Sequence, residues 1–292
     1  MAVGTAPAPS MGTPAAPVYK AHHTRRFKRP DFLHLYTMLL MVYLIIPIAV
    51  MVLFGFNNTR GRYNLVWQGF TLKWYRNLFA IGQLTGALKV SLYLAVLVMV
   101  VTTVMGTLMA YAIHRYKFFG KGFLNVVLVM NISSSSVVIG ASLLSLFVAW
   151  NVALGQFTIF AAQVMFSIPY AVITVRARLA VLDPAIEEAA KDLGARPIVT
   201  FFTVTLPQLL PGILGAAALA FALSIDDFVT TSFVSGTTLT FPLWVYGSTR
   251  EGTPPQVNVI GTLIFGIGLV VAVLSGIIKE RRDKARLRLI NG

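Results

Sequence analysis

Acidic side chains are scarce in this chain, ten Asp and Glu against twenty-four Lys and Arg, so the places where they gather are where charge chemistry has to lie. Asp226 and Asp227 are adjacent, just past the uncharged run Pro197–Ile225. Carboxylates at membrane depth are costly and face a cavity or a partner. A pair of them suits ammonium groups, for which aromatic faces are the other natural host. The same pair can instead cap a helix end, or pair with Arg250 or a partner subunit. The second gathering is Asp183 to Gly194, twelve positions holding four of the ten acids. Taken alone it reads as a solvated, well-capped helix. The run Ser133-Ser134-Ser135-Ser136 offers hydroxyl donors and acceptors, or small residues for helix–helix packing. Enzyme chemistry finds little to work with. Cysteine is absent, and His22, His23, His34 and His114 are scattered beside basic segments. No His-rich metal pattern or nucleophile elbow appears, and no metal site is expected.

The elements that must hold these residues are membrane spans. The chain of 292 residues is 57% hydrophobic and only 12% charged, whereas a soluble domain is about half apolar and a quarter charged. Residues 1–30 read as a disordered tail ending in the basic cluster Arg25, Arg26, Lys28, Arg29. The uncharged run Leu35–Phe56, at 22 residues, exceeds the roughly 7–15 of a signal-peptide core and predicts a retained span. Further runs lie at Val90–Ile113, Gly122–Val175, Pro197–Ile225 and Thr253–Ile278. The third holds 54 residues, enough for two spans, with a turn near Asn151–Gln156. Six transmembrane helices are therefore expected, in a permeation domain over 31–280, followed by a basic tail over 281–292. The Thr-, Ser- and Gly-dense segment Phe228–Thr249 reads as a loop or short re-entrant element. Pro47 and Pro169 read as kinks. With the N-terminus in the cytoplasm, eighteen Lys and Arg fall on the cytoplasmic side and six on the other. Both termini are placed inside. The net charge of +14 is then a topology and lipid-headgroup signal, with no need for nucleic acid. The loop Asn57–Leu88, with Trp67, Trp74, Tyr75 and Phe79, falls outside as an interfacial stretch or short helix.

The acidic segment lands in the cytoplasm, between spans four and five. Asp183 before Pro184 predicts an N-cap with proline at the first helical position. Glu187 and Glu188 sit where the helix dipole favours negative charge. Ala189 and Ala190 permit close approach, and Gly194 predicts a left-handed C-cap. From Glu188 the chain runs Glu-Ala-Ala, three residues, Gly194, nine residues, Val204, one residue, Leu206-Pro207. This resembles the EAA signature of permease subunits of ATP-binding-cassette importers, with Val204 in the signature's Ile position. The resemblance implies an all-α, six-span permease with a coupling helix that sits in a groove of a cytoplasmic ATPase. It implies Glu188 as the polar contact, Ala189 and Ala190 as the packing face, Gly194 as the turn, and Leu206 and Pro207 as the start of the next span. It implies as partners a second permease subunit, two ATPase copies and an extracytoplasmic binding protein, in a bacterial inner membrane. The chain carries no Gly-x-x-x-x-Gly-Lys-Ser/Thr loop, so ATP and magnesium are expected on the partner and no cofactor here.

The resemblance covers the chain from first to last span and looks closest to the spermidine/putrescine branch. It is carried by Leu223-Ser224-Ile225-Asp226-Asp227-Phe228, Ser232-Phe233-Val234-Ser235-Gly236, Pro242-Leu243 and Pro255-Gln256-Val257-Asn258. Asp226, Asp227, Ser135 and Ser136 are the candidate path residues. Two departures remove negative charge: serines stand where relatives often carry a Pro-acid pair, and Gln256 where some have Glu. A less cationic substrate is one alternative. A stand-alone secondary transporter is another, although the sequence shows no internal repeat.

Overall fold

With no water in the hydrocarbon core, a crossing segment must satisfy its own backbone hydrogen bonds, which favours helices of about 20 apolar residues. The computed structural model describes residues 32–270 except Arg62, together with residues 273 and 276. Among these residues the chain is helical, with one isolated β-bridge between Asn57 and Phe70. In chain order the helices are α1 (Phe32–Phe54), α2 (Lys73–Arg76), α3 (Gly82–Arg115), α4 (Lys121–Ser133) and α5 (Ser136–Ala149). There follow α6 (Gln156–Leu179), α7 (Pro184–Asp192), α8 (Pro197–Asp226), α9 (Val229–Val234), α10 (Phe241–Glu251) and α11 (Pro255–Val270). The expected tails 1–30 and 281–292 lie outside the described residues. The chain divides into two units within α1, after Pro47. In the first, residues 32–47 are helical. The second holds all the elements from α2 onward.

Among the described residues four helices are long and apolar enough to cross a membrane: α1 from His34, α3, α6 and α8. The pair α4 and α5 qualifies jointly but is bent by 111°. Counting it as one span gives five. The sixth expected span corresponds to α11, which is apolar but shorter than a span in its described part.

The bend falls in the serine run, which interrupts a helix instead of lining one. Ser134 and Ser135 adopt extended backbone, with ψ of 141° and 138°. Their hydroxyls take up backbone groups freed by the break. The Ser134 hydroxyl donates to the Met130 carbonyl at 2.8 Å, and Ser135 Oγ accepts from the Val137 amide at 3.4 Å. Serine competes in this way with the helical ladder. The expected turn near Asn151–Gln156 is present, with Asn151 at φ 53° and the Gly155 amide donating to Thr158 Oγ1 at 2.8 Å.

Helices α3, α6 and α8 pack on one another. Lipid tails are as apolar as leucine, so such contacts rest on close fit between small residues. A Cβ added at Gly106 of α3 would stand 2.6 Å from the Ala171 Cβ of α6, so glycine sets that separation. One apolar cluster, with Ile113, Val175, Leu179 and Leu209, fills the bundle near α7. A second, with Leu94, Leu143, Ile159 and Val234, fills it near α9. On the loop before α3, buried Asn57 organises the chain: its amide donates to Asn64 Oδ1 and to the Val66 carbonyl, both at 2.7 Å, and its carbonyl accepts from Trp74 Nε1 at 2.7 Å. The segment Phe228–Thr249, expected as a loop or short re-entrant element, is largely helical, as α9 and α10. Within it the Thr231 hydroxyl is spent on buried hydrogen bonds to Asp227 and Gln163, which a reading of composition alone misses.

Candidate functional site

Two places carry the candidate residues, one at each end of α8. At its N-terminal end, α7 is built as its sequence dictates. Asp183 Oδ1 accepts from the Ala185 amide at 2.9 Å and Pro184 opens the helix. Gly194 takes φ +83°. Its amide donates to the Lys191 carbonyl at 2.8 Å, and the Ala195 amide to the Ala190 carbonyl at 3.1 Å. That pair of bonds is a Schellman closure, which requires the left-handed residue.

Successive helical residues point about 100° apart, so Glu187 and Glu188 cannot share a face. Glu188 and Ala189 are exposed, and Ala190 is half-buried. Glu187 turns inward and is buried, 7% exposed. Its Oε1 accepts from Arg115 Nη2 at 2.9 Å and from Thr205 Oγ1 at 3.0 Å. The sequence places Glu187 with Glu188 at the dipole-favoured end of the helix but gives no sign of its inward partners Arg115 and Thr205. Around α7 the apolar residues Val181, Ile186, Leu193 and Ile198 are exposed, Leu193 at 89%.

The helical run α8 starts at Pro197, and its regular α-helical part begins at Leu206 and Pro207. They follow a π-wound stretch, Phe201–Thr205, in which the Leu206 amide bonds to the Phe201 carbonyl. Proline lacks an amide hydrogen and its ring crowds the carbonyl four residues back. The wider π turn before Pro207 relieves that crowding inside a continuing helix. Leu206 is half-buried and Pro207 exposed.

At the far end of α8 the two aspartates part company. Asp227 N-caps α9: its carboxylate accepts from the Thr230 amide at 3.2 Å, the Thr231 amide at 3.1 Å and the Thr231 hydroxyl at 2.8 Å. Thr231 Oγ1 in turn accepts from Gln163 Nε2 at 3.0 Å, and Ser224 Oγ donates to Gln163 Oε1 at 2.6 Å. This buried chain ties α6, the end of α8 and α9 into one piece. Asp226, exposed, is left facing open space. It lines two cavities. One, of about 710 Å³, is walled by Phe228, Phe241, Tyr246 and Phe265. The other, of about 350 Å³, is lined by Ser136, Phe166 and both aspartates. The Phe228 and Tyr246 ring centroids lie 4.7 Å apart, and the Arg250 guanidinium sits over the Tyr246 ring, 5.8 Å from its centroid. Ser136 thus shares a cavity with the aspartates at the bend between α4 and α5, while Ser135 is exposed and caps α5. Among the described residues no cluster of His, Asp and Glu forms a metal site.

The family described as the binding-protein-dependent transport system inner membrane component matches residues 24–284. The spermidine/putrescine transport system permease protein PotC of Escherichia coli K12 is 36% identical over 245 residues, covering 84% of this chain and 91% of its own length. The putrescine transport system permease protein PotI of the same strain is 35% identical over 254 residues, covering 84% and 90%. PotC of Haemophilus influenzae is 36% identical over 242 residues, covering 82% and 93%. Among solved structures, the fold is similar to a bacterial ABC transporter involved in the import of the acidic polysaccharide alginate, with TM-score 0.58 at 15% identity over 85% of this chain and 95% of that one. It is also similar to an amino acid ABC transporter, with TM-score 0.55 at 16% identity over 73% and 100%. The chain belongs to the binding-protein-dependent transport system inner membrane component family, and it is a multi-pass transport subunit of the inner membrane.

Proposed function

We propose that this member of the family forms half of the translocation pore of a polyamine importer, driven by a separate ATPase docked on α7. The observation that carries the substrate class is Asp226: a free carboxylate shared by two cavities, one with walls of Phe228, Phe241, Tyr246 and Phe265. Carboxylate and aromatic faces together suit an alkylammonium chain. The relatives named for spermidine and putrescine support the same reading. The other half of the pore is a second permease subunit, with two ATPase copies below and an extracytoplasmic binding protein above. ATP and magnesium reside on the ATPase, and this chain carries no cofactor. Both termini are cytoplasmic, and the permeation domain runs over 31–280 between the two tails.

On the docking side, Glu188 and Ala189 face outward, with Leu193 and Ile198 as exposed apolar neighbours. A hydrophilic helix rimmed by apolar residues fits a groove on a soluble partner. Ala190 packs beneath, Gly194 turns the chain, and Leu206 and Pro207 lie where the docking loop passes into the span.

The test is uptake of labelled spermidine or putrescine by the assembly in vesicles. Asp226→Asn removes one charge-assisted contact worth about 1.5–3 kcal/mol, a KM raised about tenfold or more. Unchanged uptake in an intact assembly removes Asp226 from the path. Glu188→Arg abolishes ATP-driven uptake; equal co-purification and equal uptake would overturn the docking role. A second reading, a less cationic substrate, is favoured by Ser136 in the smaller cavity and by Gln256. It predicts that a monoamine competes as well as spermidine does.

A further inference from the structure

We infer that Glu187, Arg115 and Thr205 form a positioning link that carries displacement of α7 into α3 and into the π-wound foot of α8. The inference rests on the docking of an ATPase on α7 proposed above. A coupling helix that is only tethered by its two linkers would move without moving the spans. Something rigid has to join it to the bundle, and one atom does so. Glu187 Oε1 takes both Arg115 Nη2, at 2.9 Å, and Thr205 Oγ1, at 3.0 Å. Arg115 ends α3, and Thr205 ends the stretch Phe201–Thr205. Three elements therefore meet on a single carboxylate oxygen.

The surroundings make the link strong and directional. The Arg115 and Glu187 side chains are 16% and 9% exposed, so water screens them little. A buried carboxylate without its partner is costly, which makes the pair resist separation when α7 is pulled. The contact is also single-pronged, and Arg115 Nε is buried with no partner. Beside it, the Phe201 ring packs on Tyr111 of α3 at 4.8 Å. The foot of α8 is thereby held to α3 at two points, by a ring contact and by the shared carboxylate. A π turn is the less regular part of a helix and is often found at functional sites. It is the place where a pull on Thr205 can change the course of α8.

The test uses the assembly with its ATPase, second permease and binding protein, reconstituted in vesicles. Spermidine or putrescine uptake and ATP hydrolysis are measured on the same sample for Glu187→Gln, Thr205→Val and the charge-exchanged pair Arg115→Glu with Glu187→Arg. The expected result is an intact assembly that still hydrolyses ATP, with uptake per ATP reduced about tenfold in Glu187→Gln and less in Thr205→Val. The charge-exchanged pair recovers most of the ratio. A merely structural role would lower uptake and hydrolysis together and leave their ratio unmoved, and that result would overturn the link while leaving the docking reading intact. Should Glu187→Gln fail to assemble, Thr205→Val and the exchanged pair decide by the same ratio. Failure of the wild-type chain to bind any ATPase would overturn the docking reading, and the link with it.

Discussion

Asp226 and Asp227 show how much can turn on one residue. In sequence they are equivalent neighbours; in the structure one is a helix cap and the other faces a cavity. Which carboxylate receives the amides depends on the turn between α8 and α9, and nothing in the composition of that turn decides it. The distinction predicts different responses. Asp227→Ala removes the cap of α9 and destabilises the purified protein by about 1–2 kcal/mol, read as a lowered midpoint of thermal unfolding in detergent. Asp226→Ala, at an exposed position, shifts stability by no more than about 0.5 kcal/mol while impairing uptake. Equal thermal shifts would show that the cap is not what holds α9.

Among the elements, α7 was legible because each of its signals is local: Asp183 before Pro184 at one end and Gly194 at the other fix their own backbone geometry. The break between α4 and α5 was not. Serine is compatible with helix, so the run Ser133–Ser136 carries no stop signal of the kind glycine or proline gives, and the bend depends on α9 packing against α5. The same holds for α9, whose threonines read as loop until Asp227 and Gln163 are seen to use Thr231. The inward pairing of Glu187 is illegible for a related reason: its partner Arg115 lies 72 positions away. Helix contacts made by small residues can be tested directly. Gly106→Val drives a branched side chain toward Ala171 and costs about 1–3 kcal/mol, measured as lost thermal stability or yield. A Cβ added at Gly86 on the same helix meets nothing within 4 Å, and Gly86→Val leaves stability nearly unchanged. If the two substitutions behave alike, close approach of α3 and α6 does not limit the packing.

For the molecule as a whole, the Arg115–Glu187 pair bears on whether α4 and α5 make one crossing. It puts the C-terminal end of α3 and the helix α7 at the same end of the bundle. The start of α4 joins them there, since Arg176 Nη1 near the end of α6 donates to Asn125 Oδ1 at 2.8 Å. Helix α6 is long enough to cross, so its start at Gln156 lies at the opposite end. The chain therefore passes from the α7 end at Lys121 to the far end at Asn151, and the bent pair α4 and α5 is expected to make one crossing instead of a loop returning to its own side. By the same parity Asp226 lies at the far end of α8, about 32 Å from Thr205 at 1.5 Å per residue, close to the thickness of a hydrocarbon core of about 30 Å. The absence of cysteine makes this measurable without further substitution. In intact cells a membrane-impermeant thiol reagent is expected to label Asn151→Cys, and to label Leu193→Cys only after the membrane is opened. Labelling of both from the same side would make α4 and α5 a re-entrant pair, and labelling of the two in reversed order would invert the orientation drawn from the Lys and Arg distribution.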